Sequence, residues 1–163
     1  MRVLGIDPGL RVTGYGLLEA NGMRARVLEA GVVRSDDDAS LPDRLRKIHL
    51  NVLEIIRELE PEAIAVEELY SHYGHPTTAI LMGHARGAIC LISGVHRIPL
   101  VNYPSTRIKK AVTGNGQASK RQVQRMVQTL LKLERPPEPA DVSDALAMAI
   151  SYIYTSQHAL VAK

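Results

Sequence analysis

A chain of 163 residues, 45% of them hydrophobic, is long enough for one domain with a proper core, and its single cysteine, Cys90, excludes an internal disulfide and fits a reducing compartment. With no Phe or Trp, the core has to be aliphatic, which lets helices approach closely. The net charge of +3 conceals an asymmetry: between Pro104 and Lys132 the bases Arg107, Lys109, Lys110, Lys120, Arg121, Arg125 and Lys132 occur with no Asp or Glu, giving a basic side suited to a polyanionic partner or simply to solvent. No signal peptide, transmembrane run or low-complexity tail is evident, so a soluble, cytoplasmic protein is the default.

Val3 to Asp7 is an apolar run that stops at an aspartate, and Pro8-Gly9 turns the chain into a returning strand from Thr13 to Leu18. Asp7 is thereby set where a buried strand surfaces, its backbone held by the sheet and its carboxylate facing a crevice, a placement suited to metal chemistry. Arg24 to Arg34 alternates as a third strand, so the chain opens as an antiparallel meander, and Asp36-Asp37-Asp38 reads as a solvated acidic loop. Ser40 to Glu60 is the clearest helix: Ser40 caps it, with Asp43 three residues on, Pro42 sits in the first turn, and Leu41, Leu45, Ile48, Val52, Ile55, Ile56 and Leu59 share one face. After Pro61, Glu62 to Glu68 reads as a short strand that again closes on a carboxylate, Glu67 or Glu68.

The next segment carries Tyr70, His72, Tyr73 and His75, either ordinary surface rings or, for the tyrosines, platforms for unpaired bases. Ala79 to Val95 is a second long helix in which Ala79, Gly83, Gly87, Cys90 and Gly94 set small residues at three- and four-residue spacing. Each glycine costs about 1 kcal/mol inside a helix, so close packing on a neighbouring helix or a subunit interface is expected there. Ile98 to Tyr103 is a fifth strand, Pro104-Ser105-Thr106 is expected to cap a basic helix from Arg107 to Val112, and Gly114-Asn115-Gly116 is a permissive loop. Ser119 then caps a helix from Lys120 to Leu133, with Arg121, Arg125 and Lys132 as an outward basic ridge and Lys120 off it. A proline-rich connector leads to the last helix, Asp141 to Tyr154, with Asp141 and Asp144 on one face of its first turn.

This order predicts an α/β fold: a mixed five-stranded sheet, three antiparallel strands then two parallel, flanked by helices and built with right-handed crossovers. One domain is expected over residues 1–158, with a short tail at 159–163. If the first and fourth strands are parallel neighbours, Asp7 and Glu67 converge, and the last helix adds Asp141 and Asp144. Four carboxylates in one crevice repel unless cations neutralise them, and all-oxygen ligands favour Mg²⁺ or Mn²⁺ over zinc. Two such ions about 4 Å apart bind a scissile phosphate, generate hydroxide and stabilise the leaving oxygen. With the basic side, this points to in-line hydrolysis of a nucleic-acid backbone, Lys120 offsetting charge on the phosphate.

The run Gly5-Ile6-Asp7-Pro8-Gly9-Leu10-Arg11-Val12-Thr13-Gly14-Tyr15-Gly16 resembles the opening of the RuvC family of Holliday junction resolvases, and the likeness continues through Ala65-Val66-Glu67, Gly83-His84-Ala85-Arg86-Gly87, Gln122-Val123-Gln124-Arg125-Met126-Val127 and Asp141-Val142-Ser143-Asp144-Ala145-Leu146-Ala147. The resemblance implies a ribonuclease H-like fold and a catalytic, metal-binding set of Asp7, Glu67, Asp141 and Asp144, choosing Glu67 over Glu68. It further implies that Lys109 and Lys120 handle substrate and that Tyr70 stacks on a base at the crossover; Arg107, Lys110, Arg121 and Arg125 are further candidate DNA contacts. Implied as well are a homodimer on four-way junction DNA, two Mg²⁺ per site, 5′-phosphate and 3′-hydroxyl ends, and cooperation with the RuvA and RuvB branch-migration complex. Three rivals remain at this stage: an actin-like ATPase, for which the chain has length for only one lobe; a junction-binding module, against which the retention of all four acids argues; and a nuclease of the same fold acting on RNA–DNA hybrids.

Overall fold

The structure, a computed structural model, describes residues 1–69 and 76–161; Tyr70, His72, Tyr73 and His75 lie outside the described residues. Strand β1 (Arg2–Asp7) buries Val3 to Ile6 completely or nearly so on both faces, as a central strand must. It pairs antiparallel with β2 (Val12–Asn21) and parallel with β4 (Ala63–Glu67). β3 (Arg24–Arg34) extends the meander beyond β2, and β5 (Leu100–Tyr103) runs parallel to β4, so the order across the sheet is β3-β2-β1-β4-β5. The expected mixed sheet is thus present, three antiparallel strands followed by two parallel ones.

Two helical layers cover it. Leu4, Ile6, Leu17, Ile64 and Val66 point to the side taken by α1 (Leu41–Leu59) and α2 (Pro76–His96), where Ile48, Val52, Ala85, Ile89 and Ile92 meet them. Val3, Leu18 and Ala65 point the other way, into a cluster with Ile108 of α3 (Ser105–Thr113), Val123 and Val127 of α4 (Lys120–Leu130) and Val142, Leu146 and Ile150 of α5 (Ala140–Val161). Helix α1 has the expected start: the Ser40 hydroxyl accepts from the Asp43 N–H at 3.3 Å and Pro42 lies in the first turn.

Several expectations are corrected. Helix α3 begins at Ser105 behind Pro104, with no side-chain cap. Helix α4 ends at Leu130, and Lys132 lies past it with φ 53°, so the ridge consists of Arg121 and Arg125 alone. Helix α5 runs to Val161, so the domain boundary drawn at 158 falls inside it. The acidic loop is not simply solvated: Arg11 holds Asp37 through Nε at 2.8 Å and again through Nη2, and Arg44 approaches the same carboxylate at 3.5 Å. That pairing ties the turn after β1 to the loop before α1. Finally, Thr77–His96 is long and apolar enough, by length and composition, to cross a bilayer, contrary to the expectation of no such run; its inner side is packed in the core, while its outer side stays apolar and uncovered.

Candidate active site

A crevice of about 310 Å³ opens where β1 and β4 end. Asp7 closes β1 and Glu67 closes β4, and both face it from adjacent parallel strands; Asp144 faces it from α5, Lys109 from α3 and Lys120 from the first position of α4. The acids meet because nothing separates α5 from the sheet. A Cβ on Gly5 would lie 1.9 Å from the Ala145 carbonyl oxygen, and one on Gly14 would lie 2.2 Å from that of Asp141. Gly14 is paired with Asp7 itself, and Gly5 with Gly16. Bare backbone on β1 and β2 therefore lets the first turns of α5 rest directly on the strands that end in the crevice.

The packing has an electrostatic consequence. Burial pushes the Asp7 carboxyl up to about 7 from an ordinary 3.8; the nearby charges of Asp144, Asp141 and Glu67 add to this, and Lys120 opposes it. Glu67 is also raised, chiefly by burial, with Asp144 adding and the Ser105 hydroxyl, Lys109 and Lys120 pulling it back. Lys120 is held protonated mainly by Asp144, to whose Oδ2 its Nζ donates at 3.3 Å. Asp141 does not line the crevice, yet its charge reaches Asp7.

The donor set fits a hard divalent cation: every candidate ligand is a carboxylate oxygen, and their mutual repulsion is relieved by a bound cation or by protons. Among the described residues, no three such side chains are gathered closely enough to share one ion; they are spread around the crevice, with the Lys120 ammonium on Asp144. Glu67 is coupled to both Asp7 and Asp144, and Glu68 borders the same crevice.

The other expected contacts lie elsewhere. The Arg107 guanidinium sits 5.3 Å over the Tyr103 ring, Arg125 lines a separate depression between α3 and α4, and Lys110 and Arg121 are exposed away from the crevice. Two residues that sequence reasoning missed border the site. Ser105, read as a helix cap, faces Glu67; Arg86 reaches in from α2, its guanidinium donating to Asn102 Oδ1 and to Cys90 Sγ at 3.4 Å. The signal for the close approach of α5 was available: Gly5, Gly14 and Gly16 fall on one face of two paired strands.

Acids at the carboxyl ends of central strands, with lysines facing them across a crevice, suit metal-assisted chemistry on a phosphate, and the similar proteins give the class: a nuclease of the ribonuclease H-like fold. Residues 3–152 match the family model described as crossover junction endodeoxyribonuclease RuvC. A crossover junction endodeoxyribonuclease RuvC from Rhodopirellula baltica is 46% identical over 96% of this chain and 88% of its own. The Thermus thermophilus RuvC solved in complex with a Holliday junction substrate superposes with a TM-score of 0.92 at 33% identity, covering 98% of this chain and 96% of that one. The yeast mitochondrial Holliday junction resolvase Ydc2, at 14% identity and a TM-score of 0.68, shares the fold. This chain belongs to the RuvC family of crossover junction endodeoxyribonucleases, and membership implies dependence on a divalent metal.

Proposed function

We propose that the protein resolves Holliday junctions in recombination and repair, nicking two strands of like polarity at symmetric positions and leaving 5′-phosphate and 3′-hydroxyl ends. The observation that carries this is the convergence of Asp7, Glu67, Asp144, Lys109 and Lys120 on one crevice, in a fold shared with a relative solved on its junction. Asp7, Glu67, Asp141 and Asp144 would hold two Mg²⁺, with Mn²⁺ able to substitute; when bound, the metal supplies an activated water and stabilises charge on the leaving oxygen. The chain's own part is to hold those oxygens in place from a rigid sheet and a helix locked onto it. Lys120 and Lys109 face the acids and stabilise the phosphate as its charge grows. Arg121 and Arg125 of α4, with Arg107 and Lys110 of α3, present the basic side along which the DNA arms track. Tyr70 is assigned the stacking role at the crossover by family likeness.

Cutting two strands calls for two crevices, and a two-fold homodimer supplies them on a nearly symmetric substrate. Helix α2 offers the face for it: Ile80, Leu91 and Val95 are 60%, 61% and 65% exposed, and a Cβ on Gly83, Gly87 or Gly94 would meet nothing within 4 Å. The small residues thus front open space that a partner helix fills. A single domain in the cytoplasm working with RuvA and RuvB completes the proposal by family likeness.

The test is a synthetic mobile four-way junction, labelled on one strand at a time and incubated with Mg²⁺ or chelator. Paired symmetric nicks that need metal and vanish with Asp7→Asn, while junction binding persists, are the expected result. Tight binding with no cutting under any metal would overturn it.

A further inference from the structure

We infer that Lys120 and a divalent cation compete for Asp144, so that junction DNA, by drawing Lys120 away onto a phosphate, tightens the binding of metal there. The inference rests on the metal-dependent junction nuclease just proposed and adds a coupling between its metal and its DNA. The ammonium of Lys120 lies 3.3 Å from Asp144 Oδ2, on lone pairs that a hard cation also requires. Its backbone is fixed as the first residue of α4, behind a capping box in which Ser119 and Gln122 satisfy each other's backbone N–H groups. Its side chain, 81% exposed against 25% for Asp144, is a flexible four-carbon stem able to swing from the carboxylate to a neighbouring phosphate.

Among the described residues the ammonium rests on Asp144 and no three acids are gathered for one ion. A phosphate offers Lys120 an alternative partner and frees Asp144. Any ligand that binds the Lys120-released arrangement better shifts the population toward it. Junction DNA and metal must then tighten each other's binding by the same factor. Lys109 provides the contrast: it borders the same crevice and acts on Glu67, but no ion pair joins it to Asp144.

The experiment is calorimetric titration of Ca²⁺ into the full chain, with and without saturating four-way junction, the recovered junction being run on a gel to show that it is intact. Without DNA, Lys120→Met is expected to bind Ca²⁺ about two- to fivefold more tightly than the parent, the range that an exposed ion pair is worth. Lys120→Arg, which keeps the pair, and Lys109→Met, which never had it, stay near the parent. Adding junction tightens Ca²⁺ binding in the parent by a larger factor than in Lys120→Met. Circular dichroism and urea midpoints show whether each variant is folded. The inference is overturned if Lys120→Met binds no more tightly than the parent, or if Lys109→Met matches it, since a general field would then explain both. If Asp7→Asn takes up Ca²⁺ as the parent does, the metal-carboxylate reading itself falls, whatever Lys120 does.

Discussion

Replacing Gly5 by alanine adds one methyl group at the point where α5 crosses the sheet. That carbon would sit 1.9 Å from the Ala145 carbonyl oxygen, 2.9 Å from its carbon and 3.0 Å from the Ala149 amide nitrogen. All three are backbone atoms, so no side chain can rotate aside; α5 has to retreat by about 1.5 Å for the closest contact to reach an ordinary 3.4 Å. Overpacking of this kind costs about 1–3 kcal/mol, visible as a lower urea midpoint. Asp144 immediately precedes Ala145 and is carried off with it, and a misplacement of about 1 Å costs on the order of a hundredfold in rate. Single-turnover cleavage of a four-way junction should therefore slow about a hundredfold, while junction affinity changes little, because the substitution does not touch the α3–α4 side proposed to hold the DNA. Gly16→Ala is the milder comparison: its methyl meets Leu146 Cδ2 at 2.5 Å and Cγ at 2.8 Å, so that buried side chain must repack, but the α5 backbone nitrogen lies at an ordinary 3.4 Å, and cleavage should stay within about tenfold of the parent by the same reasoning. A Gly5→Ala protein that is folded and cuts at the parental rate, or a Gly16→Ala protein as slow as Gly5→Ala, would refute the claim that backbone contact at Gly5 positions the acid.

Two further predictions follow from charge and exposure. In chelator, the folded protein holds a proton on Asp7 up to about pH 7, whereas the unfolded chain releases it near 3.8; stability should accordingly be full below about pH 4 and fall as pH rises through 7. Thermal melts of Asp7→Asn should lack that decline and show a metal-free protein at pH 8 that is more stable than the parent by on the order of a few kcal/mol; an identical pH profile for both would count against the buried acid. On α2, Leu91→Asp should convert a dimer into a monomer in sedimentation while leaving the helix content intact, and paired nicks should become uncoordinated single ones; an unchanged sedimentation coefficient would remove α2 from the interface.

Much of the fold was legible because the signals were local. Alternation marked the meander, Ser40 and Ser119 announced α1 and α4, and each aspartate or glutamate at a strand end stood out against the apolar residues before it. Glu67 and Glu68 could not be separated by pattern, since what ties Glu67 to Asp7 and Asp144 is a contact between strands and a helix far apart in sequence. Ser105 looked like a cap because hydroxyls commonly cap helices, but Pro104 already sets the entry to α3 and leaves the hydroxyl facing Glu67. Arg86 was read only as one letter of a family motif; its place at the crevice depends on how α2 packs beside β5, a long-range fact. Among the basic residues, charge alone did not distinguish Lys109 and Lys120, which reach the crevice, from Arg107, stacked on Tyr103, or Arg125, on another surface.

The acid cluster is assembled from opposite ends of the described chain, Asp7 from its first strand and Asp144 from its last helix. A chain whose α5 is missing or unseated lacks the helical half of the crevice. Loss of α5 also strips Leu146 and Ile150 out of the core, so the chain cannot keep a stable body and a complete blade apart from each other. An unfinished or damaged copy thus loses its body and its blade together, so partly folded chains are not expected to leave stray nicks.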